Sequence, residues 1–187
     1  MTNQSYFAQS IPTWLGVLFL CWGCTNDVQE VRKVTENRRI PLEVQENLEV
    51  RYTDSTELRM EMEAPLAESY PHLKEPQREF PRGLKVRFFN KNGDLSSRLR
   101  SDYALQLLEE GRWEARGNVV VINREGEKLQ TEKLFWDSRR ERIYTDAFVR
   151  MTTEDEVILG HGFEADQNFE QYEVKEVTGT LMIEEDV

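Results

Sequence analysis

A chain of 187 residues is long enough for one domain of ordinary size, and two are not expected. Acidic residues outnumber basic ones 35 to 24, giving a net charge of −11, and no stretch gathers Lys and Arg with aromatics. A polyanion is repelled on average, which argues against nucleic acid as a partner.

Both cysteines, Cys21 and Cys24, lie in IPTWLGVLFLCWGCTND, so the rest of the chain has no disulfide and depends on its own core. The apolar run from Ile11 to about Gly23 is shorter than the roughly 20 residues of a membrane span. Its length suits the apolar part of a secretory signal. Gly23-Cys24 then reads as the cleavage and lipidation site of a bacterial lipoprotein, with residues 1–23 as signal segment and Cys24 as the lipid anchor to the membrane. The segment departs from that pattern where Cys21 replaces the usual Leu, and in having no Lys or Arg in residues 1–10. A buried or interfacial N-terminal segment is the alternative. A metal held by Cys21 and Cys24 would need a second pair of ligands that is not nearby.

Residues 24–47 are polar and lack apolar periodicity, as in a tether, leaving residues 48–187 for the folded domain. There, short segments alternate apolar and polar residues between turn formers. Leu58, Met60 and Met62 recur at period two; Leu84, Val86 and Phe88 share one face, with Lys85 and Arg87 on the other. Asn92-Gly93 signals a hairpin. The stretch DYALQLLEEGRW is the one helix-like segment, and its shortness and Gly111 favour strand or turn. Trp113, Ala115, Val119 and Val121 then continue an apolar strand face. The reading is all-β.

An internal repeat follows. Residues 117–137 align with 146–166 at an offset of 29, placing Val119 on Phe148, Leu129 on Ile158, Leu134 on Phe163 and Asp137 on Asp166. A looser copy runs from GLKVRFF to Asp102. Each unit is strand, turn, return strand and closing Asp. One hairpin cannot bury its apolar face alone, so the hairpins are expected to stack around a continuous apolar interior.

The stretch VILGHGFEAD holds His161, one of two histidines. Gly-His-Gly-Phe-Glu-Ala fits the loose dinucleotide pattern, yet too little chain follows Asp166 for the helix and second strand that pattern needs. Nothing joins His161 to the distant His72, and the equivalent places of Asp137 and Asp166 suggest carboxylates capping turn amides rather than acid–base chemistry. No nucleophile, phosphate loop or ligand cluster is recognisable, so no catalysis, cofactor or metal is expected. Gly160 and Gly162, two apart, are expected on one strand face, leaving room there for another chain, a ligand or a bend.

The stretch from GRWEARGNVVVIN through EKLQTEKLFWDSRRERIYTDAFVRM to VILGHGFEAD resembles the LptC family, the membrane-anchored periplasmic components of lipopolysaccharide export. The likeness spans about residues 50–182. It implies an open, twisted antiparallel β-jellyroll whose interior holds acyl chains of lipopolysaccharide. It further implies that lipid comes from an inner-membrane permease pair driven by an ATPase, and leaves to a periplasmic bridge protein at the C-terminal edge. Many relatives carry a transmembrane helix where this chain offers the lipoprotein-like segment.

On this reading, lipid contacts are expected among Leu84, Val86, Phe88, Leu99, Trp113, Val119, Val121, Leu129, Val149, Met151 and Ile158, and partner docking at Gly160, Gly162 and Phe163. A photo-crosslinker at Val121 or Phe88 is expected to capture the lipid. The competing readings are a dry-cored adaptor joining envelope proteins by its sheet edges and, more remotely, a glycan hydrolase using Asp137 and Asp166. Substituting Arg at Gly160 or Gly162 should impair docking or lipid passage more than His161→Ala; equal lipid transfer by all three variants would contradict this.

Overall fold

The computed structural model describes residues 39–182 apart from 168 and 170. Cys24, the signal-like segment and most of the tether lie outside the described residues. Eleven strands follow in chain order: β1 (Glu43–Asp54), β2 (Glu57–Tyr70), β3 (Gln77–Phe80), β4 (Leu84–Phe89), β5 (Leu95–Ser101), β6 (Tyr103–Leu107), β7 (Arg112–Asn123), β8 (Lys128–Asp137), β9 (Arg142–Thr152), β10 (Glu156–Asp166) and β11 (Tyr172–Met182). The fold is the expected all-β open jellyroll, an antiparallel sheet with no helix among the described residues. The helix-like stretch is β6 and a turn. Strand pairing starts at Glu43, ahead of the boundary at 48 suggested by polarity, and Leu48 and Val50 further along β1 pack against the inward cluster.

Tight turns set the hairpins. Ser55 and Thr56 both adopt positive φ (51° and 78°), the two-residue turn that matches strand twist. The Asn90 carboxamide oxygen accepts from the amides of Asn92 and Asp94 (2.9 and 3.0 Å), with Gly93 at φ 82°. Asp137 accepts from the amides of Arg139 and Arg140 (both 3.1 Å), and Asp166 from that of Gln171 (2.7 Å). The two aspartates therefore do the turn work expected of them.

From β7 the sheet divides. Val120–Asn123 pairs with β5, and Arg112–Arg116 pairs with β6. The branches rejoin on β2, where β4 pairs Met60–Glu63 and β3 pairs Glu68–Tyr70. Gly83 stands at this fork with φ 78°, where a side chain would overlap the carbonyl of Ser101. Beyond β7, strands β8 to β11 follow as a simple meander. The free edges are β1 and β11.

Inward residues form two clusters. One joins Met62, Ala64, Ala67, Phe80, Leu84, Val86 and Ala104 inside the fork. The other joins Val119, Val121, Leu129, Leu134, Val149, Met151, Phe163 and Phe169 beneath the meander.

Two expectations need correction. The offset of 29 holds for the return strands, since Leu134 and Phe163 both face the core, but not for the leading ones: Val119 is buried and Phe148 is 47% exposed. Val119 matches Val149, and Val121 matches Met151, thirty residues on. The β9–β10 turn is one residue shorter than the β7–β8 turn, and one residue inverts the facing of a strand. The glycines likewise do not share a face. Gly162 sits in a bulge at φ 83°, and a side chain there would meet Lys175. At Gly160 a Cβ would lie 2.7 Å from Val174 Cγ1, so β11 crowds against it. The extra residue of the bulge breaks the two-residue period.

β11 is fastened to the body by Tyr172. Its ring stacks with Phe163 and Phe169 at 5.8 Å, and its hydroxyl donates to Glu127 (2.9 Å). Burial, and then the Glu127 hydrogen bond, push the phenol up to about 12. The fold thus favours the protonated phenol. Its stabilisation is complete below the ordinary value of 10.0 and is lost as pH rises toward 12. Tyr172→Phe should lower stability at neutral pH by about 1 kcal/mol. It should also reduce the alkaline loss between pH 10 and 12, without abolishing it, because Tyr70 is raised to about 12 as well. Denaturant unfolding across that pH range checks both.

Candidate functional site

Where the sheet divides, the inner faces of β2, β4 and β5 meet those of β7, β8 and β9 across an apolar cleft. Its walls are Met60, Met62, Leu84, Val86, Phe88 and Leu99 on one side, and Trp113, Ala115, Leu134, Trp136 and Ile143 on the other. An aromatic shelf runs through it. Trp113 stacks on Phe80 (5.6 Å, 18°) and on Trp136 (6.0 Å, 29°), while Phe88 meets Trp136 edge-on (5.6 Å, 80°). The free space is about 40 Å³, little more than one water molecule occupies in the liquid.

Polar atoms are few. The Trp136 indole N–H is buried with no hydrogen-bond partner among the described residues. At the rim, Arg116 donates two hydrogen bonds to Glu114 (2.7 and 2.8 Å), with Lys133 at 3.7 Å. The Arg116 hydrogen bonds hold this carboxyl below the ordinary carboxylate range. No group of His, Cys, Asp and Glu suited to a metal occurs among the described residues. His161 is exposed and meets Phe148 edge-on at 5.4 Å.

The residues expected to contact lipid divide into two sets. Leu84, Val86, Phe88, Leu99 and Trp113 line the cleft. Val119, Val121, Leu129, Val149 and Met151 are at most 1% exposed in the meander core, with Ile158 packed against them. Sequence alternation cannot separate the two sets, because both face inward. The expected contacts left out Met60, Met62 and Trp136, which also line the cleft, although the alternation had placed both methionines on one strand face.

Gly160, Gly162 and Phe163 lie on β10, one strand in from the edge, and Phe163 is fully buried. The accessible edge is β11, with Val177, Leu181 and Met182 exposed. The opposite edge exposes Val44 and Tyr52 of β1, with Ile40 and Leu42 just before it. Seven large exposed apolar side chains thus sit at the two places where another strand could pair.

Leu129→Ala, in the filled core, should cost about 2–5 kcal/mol, whereas Leu99→Ala, beside open space, should cost clearly less. Urea unfolding of the two variants measures the difference.

A family model described as lipopolysaccharide-assembly, LptC-related, matches residues 14–182. No curated protein matched the chain in a sequence search. Proteins of this family are transport components, periplasmic and associated with the inner membrane in Gram-negative lipopolysaccharide export. With a match over most of the chain and an open all-β sheet behind it, this protein belongs to the LptC family and has a role in lipopolysaccharide transport.

Proposed function

We propose that the domain relays lipopolysaccharide, holding its acyl chains in the apolar cleft where the inner faces of β2, β4 and β5 meet those of β7, β8 and β9, while the sugars stay outside. The carrying observation is an almost wholly apolar cleft with an aromatic shelf, in a domain that keeps both sheet edges free. Each exposed CH₂ costs about 0.8 kcal/mol in water, so chains need shielding through the periplasm. The β1 edge receives lipid from the permease pair, which a partner ATPase drives. The β11 edge joins the bridge protein by strand addition. The unpartnered Trp136 N–H supplies a donor for an ester carbonyl at the mouth of a chain. Energy comes from the partner, and this chain performs no bond chemistry. Cys24 is the proposed lipid anchor, and the polar stretch after it is the proposed tether.

The small free volume makes widening part of the mechanism, since drug-sized ligand pockets span roughly 300–1,000 Å³. Met60 and Met62 line the wall that has to yield, and methionine is the most adaptable apolar side chain. The same tightness favours a second reading, a dry-cored adaptor that joins envelope proteins by its edges and never opens.

A photo-crosslinking residue at Phe88 separates them. The relay reading expects capture of lipopolysaccharide from Phe88 during active export, and none from outward Arg87 or from Val121 in the filled core. Capture absent at Phe88 while export proceeds would favour the adaptor.

A further inference from the structure

The outer face of the sheet, opposite the cleft, carries a charge pattern that the composition conceals. Register aligns two rows across β4, β5, β7, β8 and β9: Arg87, Arg98, Ile122, Lys128, Thr152, and beside it Lys85, Arg100, Val120, Gln130, Arg150. Ten consecutive outward positions hold six cations and no carboxylate, on a chain of net charge −11. Arg87 pairs with Glu61 and Glu63 of β2 at the end of the rows. Lys85, Arg98, Arg100, Lys128 and Arg150 have no ion partner among the described residues.

Two pairs of like charge, Lys85 with Arg100 and Arg87 with Arg98, stand directly opposite each other on neighbouring strands. Such pairs destabilise a sheet, so stability does not account for them. Five strands at about 4.8 Å spacing spread the cations over roughly 19 Å. A single phosphate reaches two or three of them; a plane of phosphates reaches all. Beyond β9 the first row runs through Val157 to Leu181, which is 60% exposed. Basic residues bordered by apolar ones suit a headgroup layer, and no aromatic lies in the rows to stack a base.

We propose that this face rests on an anionic phospholipid bilayer and sets the orientation of the domain at the membrane surface. Its overall charge repels that surface, and the rows offer cations standing together without a carboxylate among them. The inference stands apart from lipid passage through the cleft, because the two faces share no side chain.

The test is co-sedimentation of the full chain with vesicles of phosphatidylglycerol mixed with phosphatidylcholine, and with phosphatidylcholine alone. Any binding through the apolar N-terminal segment enters both, so the ratio reports the basic face. Wild type should prefer the anionic vesicles, and the preference should fall with added salt. Arg98→Glu with Arg100→Glu should reduce it by roughly twentyfold or more, at about fivefold per cation lost near the surface. Lys74→Glu with Arg139→Glu, both in turns outside the rows, should leave it near wild type. Reversal at 98 and 100 also replaces like-charge neighbours with opposite ones, so the thermal midpoint should hold or rise. Three results would overturn the proposal: no preference in the wild type, an unchanged preference in the 98/100 variant, or its abolition by inorganic phosphate at constant ionic strength, which would mark a single-anion site.

Discussion

Two strands are longer than any single neighbour on one side can satisfy, and the rest of the domain follows from that. β2 runs for 14 residues and β7 for 12, while β3 to β6 have between 4 and 7. Each backbone amide and carbonyl along a long strand needs a partner when buried. Each long strand therefore takes two short partners in succession, and the sheet has to fork. Beside the fork the inner faces of β2, β4 and β5 turn toward those of β7, β8 and β9, which closes a cleft without using a loop or a helix. Gly83 makes this possible locally, because the chain passes too close to Ser101 for any side chain.

The two clusters that result differ in kind. Under the meander, successive hairpins stack in step, and their inward residues fill the space as in an ordinary protein interior. At the fork the walls come from strands brought together from distant parts of the chain, and wide aromatic rings bridge them with a little space to spare. The free space lies beside the fork, while the meander is filled and carries the exposed β11 edge.

Alternation and turn chemistry were legible in the residues. Leu84, Val86 and Phe88 announced a strand, Asn92-Gly93 its turn, and Asp137 and Asp166 their capping roles. The fork was not legible, because it depends on which distant strands satisfy β2 and β7. Nor was the separation of Val121 from Val86, which have the same local pattern and different surroundings. The glycines misled because positive φ at Gly162 is a local backbone state that breaks the very period used to place them. The basic face escaped notice for a related reason: Arg98 and Lys128 are far apart in the chain, and only strand register makes them neighbours.

The two free edges are unlike in sequence, so a contact between them is heterologous rather than self-complementary. A two-fold pair would bury one edge twice and leave the other open. Head-to-tail joining adds one domain after another in a fixed direction and, unless its rotation closes a ring, follows the growth rule of a filament. An assembly built this way has no length of its own. Its length is set by whichever differently shaped edges terminate it, so control of span passes from the domain to the proteins that cap it.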